Sequence, residues 1–99
     1  MKFEDFKHSL KQTAPQASWS SPLQALWWDG KGNWEAAHDT LQADDSKTSA
    51  WVHAYLHRKE GDPANARYWY NRADRAVSTL ALEAEWEEIS KVLLAEAES

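Results

Sequence analysis

Three histidines are the residues in this sequence best suited to chemistry, and their spacing is compatible with a metal site. His53 and His57 are four residues apart, so on a helix both imidazoles lie on one side and can bind the same ion. His38 lies in the preceding predicted helix and could be a third ligand, with Glu60 or Asp62 supplying a carboxylate. Such pairs also arise by chance, and the sequence alone favours histidines that are hydrogen-bonded in a packed polar seam.

No recognised catalytic motif accompanies the histidines. A zinc hydrolase of the His-Glu-x-x-His type needs Glu directly after the first His, whereas Ala54 follows His53 here. The chain also has no cysteine, no Gly-x-Ser-x-Gly and no glycine-rich phosphate loop. We therefore predict a binding protein that is not an enzyme and needs no cofactor. The alternative interpretation is a small metal- or polar-ligand-binding protein, with hydrolysis as its conceivable activity.

A second group of candidates combines cationic and aromatic side chains. An arginine can stack on an aromatic ring while it binds a carboxylate, and this combination is typical of binding hot spots. The sequence predicts a site for a protein or peptide, including an acidic or C-terminal peptide, formed by Trp51, Tyr55, Arg58, Lys59, Tyr68 and Arg72. In the competing interpretation Arg58 pairs with Asp62 and Arg72 with a nearby aspartate, in exposed pairs worth only about 0–1 kcal/mol.

Helical segments must position all of these residues, because no window of the sequence alternates at the period of a strand. Apolar spacing and capping residues predict an all-α fold of about six helices, over residues 2–12, 22–29, 34–43, 47–60, 63–73 and 79–97. Ser21 and Gln24 have the spacing of a capping box, and Asn33, Ser46 and Asp62 are good N-caps. The helix over 47–60 has apolar residues on one side and small residues with histidines on the other. Both sides can therefore pack against neighbouring helices, which predicts that this is the central helix of the domain.

The turns at Gly32 and Gly61 are equivalent points of an internal repeat. Asn33 and Asp62 follow the two glycines, and Ala37 and Ala66 occur at the same distance beyond them. Two tandem antiparallel hairpins are therefore predicted within residues 22–73 of a single domain, 1–99. Residues 1–21 form an N-terminal helix and connection, and residues 74–99 form a C-terminal helix.

These positions resemble the tetratricopeptide repeat family, in which small and large residues at fixed positions flank a Gly-Asp or Gly-Asn turn. The second unit supplies Ala54, Gly61, Asp62, Ala66, Tyr70 and Ala73, and the first supplies Ala25, Gly32, Asn33, Trp34, Ala37 and Leu41. The resemblance implies a protein- or peptide-binding concave face, toward which Trp51, Tyr55, Arg58 and Lys59 would point. The string from Trp51 to Asp62, with Asn65-Ala66 and Tyr68-Trp69-Tyr70, also resembles a family of small uncharacterised bacterial proteins, from which no activity is carried over.

Composition narrows the classes of partner. The chain has 99 residues and a formal net charge of −5, without the basic cluster of a nucleic-acid-binding protein. No apolar run has the length of a membrane span, and the N-terminus lacks the apolar stretch of a signal peptide, so a cytoplasmic protein is expected. Homodimerisation is expected if aromatic side chains such as Trp28 and Tyr68 are exposed.

Overall fold

The computed structural model describes residues 1–98 and is all-helical, with no strand among them. Apolar spacing and short polar breaks divide this part of the chain into six α-helices. They are α1 (Phe3–Ser9), α2 (Ser21–Gly30), α3 (Trp34–Thr40), α4 (Lys47–Glu60), α5 (Pro63–Arg72) and α6 (Leu82–Glu98). The predicted all-α fold is therefore confirmed. Within the same residues, no helix combines the length and apolar character needed to cross a membrane.

The predicted caps and turns of the central helices are confirmed. The side chains of Asn33, Ser46 and Asp62 each accept a hydrogen bond from the backbone N–H three residues later, at 3.1, 3.1 and 3.2 Å. Gly32 and Gly61 have φ values of 83° and 90°, in the left-handed region that favours glycine. Each left-handed glycine lets the chain reverse between one helix and the next.

Several helix ends differ from the prediction, and at two of them side chains bond nearby backbone groups. The N-cap of α2 is Ser20, and no capping box forms at Ser21, since the Gln24 amide donates to the Trp19 carbonyl at 2.7 Å instead. α1 ends at Ser9, and the Lys31 ammonium donates to the carbonyls of Leu10 and Gln12 beyond it. α3 ends at Thr40 rather than 43, and α6 begins at Leu82 rather than 79.

Helix packing is consistent with the two predicted tandem hairpins. α2 packs mainly on α3, and α4 packs mainly on α5, while α2 and α4 also contact each other. Small side chains allow helices to approach closely, and the structure buries the small residues predicted for the two units, which are Ala25, Ala37, Ala54 and Ala66. α6 packs against α1, α2 and α4.

α4 is the central helix, as predicted, because residues 49–57 are all buried. Its partner on α6 is Glu85, whose side chain is fully buried and accepts hydrogen bonds from the Arg58 guanidinium at 2.9 Å and from the Tyr70 hydroxyl. The expected pairing of Arg58 with Asp62 is therefore wrong, since Asp62 caps α5. A buried carboxylate must be paired to be tolerated, so this network fixes where α6 lies on α4 and α5.

Candidate metal centre

The three histidines meet at the seam between α3 and α4. One potential ligand nitrogen from each of His38, His53 and His57 lies within 4.8 Å of the other two. Two nitrogens on one tetrahedral zinc ion are about 3.4 Å apart, from Zn–N bonds of about 2.0–2.1 Å. Small rotations of the imidazole rings would therefore close the group around an ion.

Hydrogen bonds outside the group orient two of the three rings. Nδ1 of His57 is 2.9 Å from Oε1 of Glu60, and since a carboxylate only accepts, this nitrogen carries the proton. Nδ1 of His38 is 2.9 Å from Nε2 of the Gln42 amide, which also lies 3.4 Å from the His38 carbonyl oxygen. In His57, Nε2 is then the nitrogen left to bind a metal, as in carboxylate–histidine–metal arrangements.

Among the three histidines, His53 has a buried ring nitrogen without a hydrogen-bond partner. Its side chain is only 5% exposed, and its buried Nδ1 has no hydrogen-bond partner. A backbone hydrogen bond at Leu41 acts on the ring, but Nδ1 remains unpaired, and leaving a buried polar atom unpaired costs about 1–3 kcal/mol. A bound ion that brings in its own ligands or rearranges the group would remove this cost.

The electrostatics of the group favour the neutral imidazole in His53 and His38. Burial, followed by the neighbouring His38 and His57, lowers the pKa of His53 from 6.5 to about 4. Burial and then His57 also lower the pKa of His38. A metal binds only the unprotonated imidazole, so both residues are already in the metal-binding form at neutral pH.

Two tryptophans complete the walls of the site. Trp34 stacks on His38, with ring centroids 5.0 Å apart, and its indole N–H donates to the Leu56 carbonyl at 2.8 Å. Trp69, from α5, stacks on His53 at 4.1 Å. The sequence reasoning did not include Trp69 or Gln42 in the site. The signal available for Gln42 was its position four residues after His38, which places both on one face of a helix.

The six candidates for peptide binding do not form one surface. Trp51 and Tyr55 are buried, with 4% and 2% exposure. The Arg75 guanidinium carbon lies 3.4 Å from the centre of the Trp51 ring, and the Tyr55 hydroxyl donates to Asp29 at 2.6 Å. The α4 face predicted to be concave is therefore covered by other parts of the chain.

The remaining candidates divide between two places. Arg58 is bound to Glu85, and the Lys59 ammonium donates to Asp29 at 2.8 Å. Tyr68 is 53% exposed, and Arg72 lies over its ring, with the guanidinium carbon 5.7 Å from the centroid. An aspartate partner for Arg72 does not occur among residues 1–98, because the guanidinium stacks on aromatic rings and donates to the Tyr68 hydroxyl.

Of the two aromatic residues expected at the surface, Tyr68 is exposed and Trp28 is half-buried. The Trp28 ring packs edge-on against Trp27, with centroids 5.1 Å apart. Trp28 therefore offers less apolar surface for a homodimer than the sequence suggests.

No family model matches the chain, and neither the search of curated proteins nor that of solved structures gave a significant match.

Proposed function

We propose that this protein binds a transition-metal ion through His38, His53 and His57. The observation that carries the proposal is the buried Nδ1 of His53, which has no partner although two further imidazoles lie beside it. The lowered pKa values of His53 and His38 support it, because both rings are unprotonated at neutral pH.

The chemistry of the donors selects the class of metal. Imidazole nitrogen suits zinc, copper, nickel and iron, whereas calcium and magnesium prefer oxygen. Three protein ligands leave a coordination position for water or another small molecule, as in catalytic zinc sites. We assign binding alone, because Glu60, the carboxylate hydrogen-bonded to the group, is engaged with His57.

Zinc titration of the chelator-treated chain tests this proposal. We expect one zinc ion per chain, and a rise in melting temperature equivalent to about 2.7 kcal/mol when free zinc is 100-fold above its dissociation constant. The combined His53→Ala and His57→Ala variant should lose both effects. His8→Ala is the matched control, since His8 is exposed on α1. A native chain that neither binds zinc nor changes its melting temperature would contradict the proposal.

A second proposed function is binding of an acidic protein segment at the outer face of α5. The exposure of Tyr68 favours it, together with Arg72, which stacks on Tyr68 and Trp69 at 5.7 and 5.4 Å. An arginine that is pre-positioned on aromatic rings retains donors for a carboxylate. This surface would serve a tetratricopeptide-like repeat protein of bacterial origin, as the two sequence resemblances imply. The expected cytoplasmic location rests on the N-terminal sequence and on the absence of a long apolar run.

Peptide arrays distinguish this second function from metal binding. We expect acidic and C-terminal peptides to be retained by the native chain and lost by the combined Tyr68→Ala and Arg72→Ala variant. Arg67→Ala is the control, because Arg67 is an exposed arginine of the same helix. Equal retention by both variants would refute this use of α5, whatever the zinc titration shows.

A further inference from the structure

A cavity of about 520 Å³ lies between α1, α2, α4 and α6, and its lining does not include His38, His53 or His57. This volume is within the range of about 300–1,000 Å³ that is usual for small-molecule sites. Its apolar wall comes from Phe3, Leu10, Leu82 and Trp86. The packing there is close, since a Cβ atom on Gly30 would come within 3.0 Å of both Leu10 and Trp86.

A buried carboxylate, in an electrostatically unfavourable position at the end of α2, contributes to the other wall of the cavity. Asp29 is the penultimate residue of α2, at the negative end of the helix dipole, and its side chain is 2% exposed. Lys59 and the Tyr55 hydroxyl offset this cost, at 2.8 and 2.6 Å from its two oxygens. A buried carboxylate at the negative end of a helix is locally unfavourable, and natural proteins retain such unfavourable residues mainly at functional sites.

The ammonium group of Lys59 is fixed by Asp29 and retains N–H donors that Asp29 does not use. An ammonium group has three N–H donors, and one of these is used by Asp29. The Lys59 side chain is 39% exposed and lines the cavity. The buried aspartate therefore fixes a cation on the cavity wall, in a position to bind a carboxylate.

Two further charges line the cavity without a partner of opposite charge among residues 1–98. Lys7 projects from α1 over the ring of Phe3, and Glu83 lies on α6. The remaining acid, Glu87, is neutralised by Lys91 at 2.6 Å. The lining thus has a free positive group and a free negative group on different helices, beside an apolar wall.

We propose that this cavity binds a zwitterionic α-amino acid with a large apolar side chain. Its carboxylate accepts hydrogen bonds from Lys59 and Lys7, and its ammonium group donates to Glu83. Its side chain packs against the rings of Phe3 and Trp86. A ligand with a single charge would engage only one of the two free charged groups, so the arrangement selects against simple carboxylates and simple amines.

Nuclear magnetic resonance of the ¹⁵N-labelled chain tests the proposal, with chelator present so that no metal takes part. The Trp86 indole N–H, which donates to the Leu26 carbonyl at 2.9 Å, reports on the cavity wall. We expect L-phenylalanine to shift this signal and to leave the indole signals of Trp34 and Trp69 unchanged. Phenylacetate and phenethylamine, which each lack one charge, should bind at least tenfold more weakly.

Charge-removing variants separate the cavity from general effects on the surface. Lys7→Gln and Glu83→Gln should each weaken L-phenylalanine binding about tenfold. Lys11→Gln, at an exposed position two residues beyond the end of α1, and Glu88→Gln, at an exposed position on α6, should not change it. The proposal is overturned if Trp86 does not shift at millimolar L-phenylalanine, if phenylacetate binds as tightly, or if the two pairs of variants behave alike.

Discussion

Acidification should destabilise the metal-free protein through His53. Burial and the neighbouring His38 and His57 lower its pKa from 6.5 to about 4. The unfolded chain takes up the proton near pH 6.5, whereas the folded chain resists it until about pH 4. The contribution of His53 to the free energy of unfolding is therefore complete above pH 6.5 and lost as the pH falls through this window.

The size of the loss in stability follows from the difference between the pKa of His53 in the unfolded and folded chains. At about 1.4 kcal/mol per pKa unit, the change corresponds to roughly 3 kcal/mol, and partial access of water to the seam reduces this to about 2 kcal/mol. The pKa of His38 is also lowered, by burial and then by His57, so its contribution has the same sign. Together they should make the metal-free chain clearly less stable at about pH 4.5 than at about pH 7.5.

Urea denaturation in the presence of chelator measures this loss. His53→Phe retains a flat ring to stack on Trp69 and removes the titrating group. Over the same pH range, the loss in free energy of unfolding should therefore be about 2 kcal/mol smaller in this variant than in the native chain. His8→Gln is the control, because His8 is exposed. Equal losses in the native chain and His53→Phe would refute the reasoning.

Three other substitutions test the packing that positions the site. Glu85→Ala should lower the free energy of unfolding by about 3–5 kcal/mol in urea titrations, because it leaves Arg58 without its buried partner; a loss below 1 kcal/mol would show that the network is not structural. Gly61→Ala should cost about 1–2 kcal/mol, measured as a lower melting temperature, because φ is 90° there; an unchanged value would contradict the left-handed turn. Tyr68→Ala should change the free energy of unfolding by less than about 0.5 kcal/mol, since the side chain is exposed; a larger loss would place Tyr68 in the core.

Local signals account for the part of the fold that the sequence predicted. Gly32 and Gly61, followed by Asn33 and Asp62, specify their turns and caps through short-range hydrogen bonds, and both turns occur as predicted. The prediction of a capping box at Ser21 was wrong because the Gln24 side-chain amide donates instead to the carbonyl of Trp19, in the preceding connection. That competition depends on the path of residues 13–20, which no local pattern specifies.

The candidate site shows the same division between local and long-range information. Helical spacing placed His53 and His57 together, and the hairpin prediction made His38 a plausible neighbour. The partner of Arg58 was missed because Glu85 is distant in sequence and lies on another helix, so no local pattern connects the two residues. The burial of Tyr55 was missed for the same reason, since Asp29 reaches it from another helix.

X-ray absorption spectroscopy of the zinc-loaded protein counts the ligands of the metal itself. The proposed centre requires three imidazole nitrogens at about 2.0–2.1 Å and a further light atom from water. In the combined His53→Ala and His57→Ala variant, at most one imidazole should remain. A native spectrum with fewer than three imidazoles, or one that the double substitution leaves unchanged, would contradict a metal centre built from His38, His53 and His57.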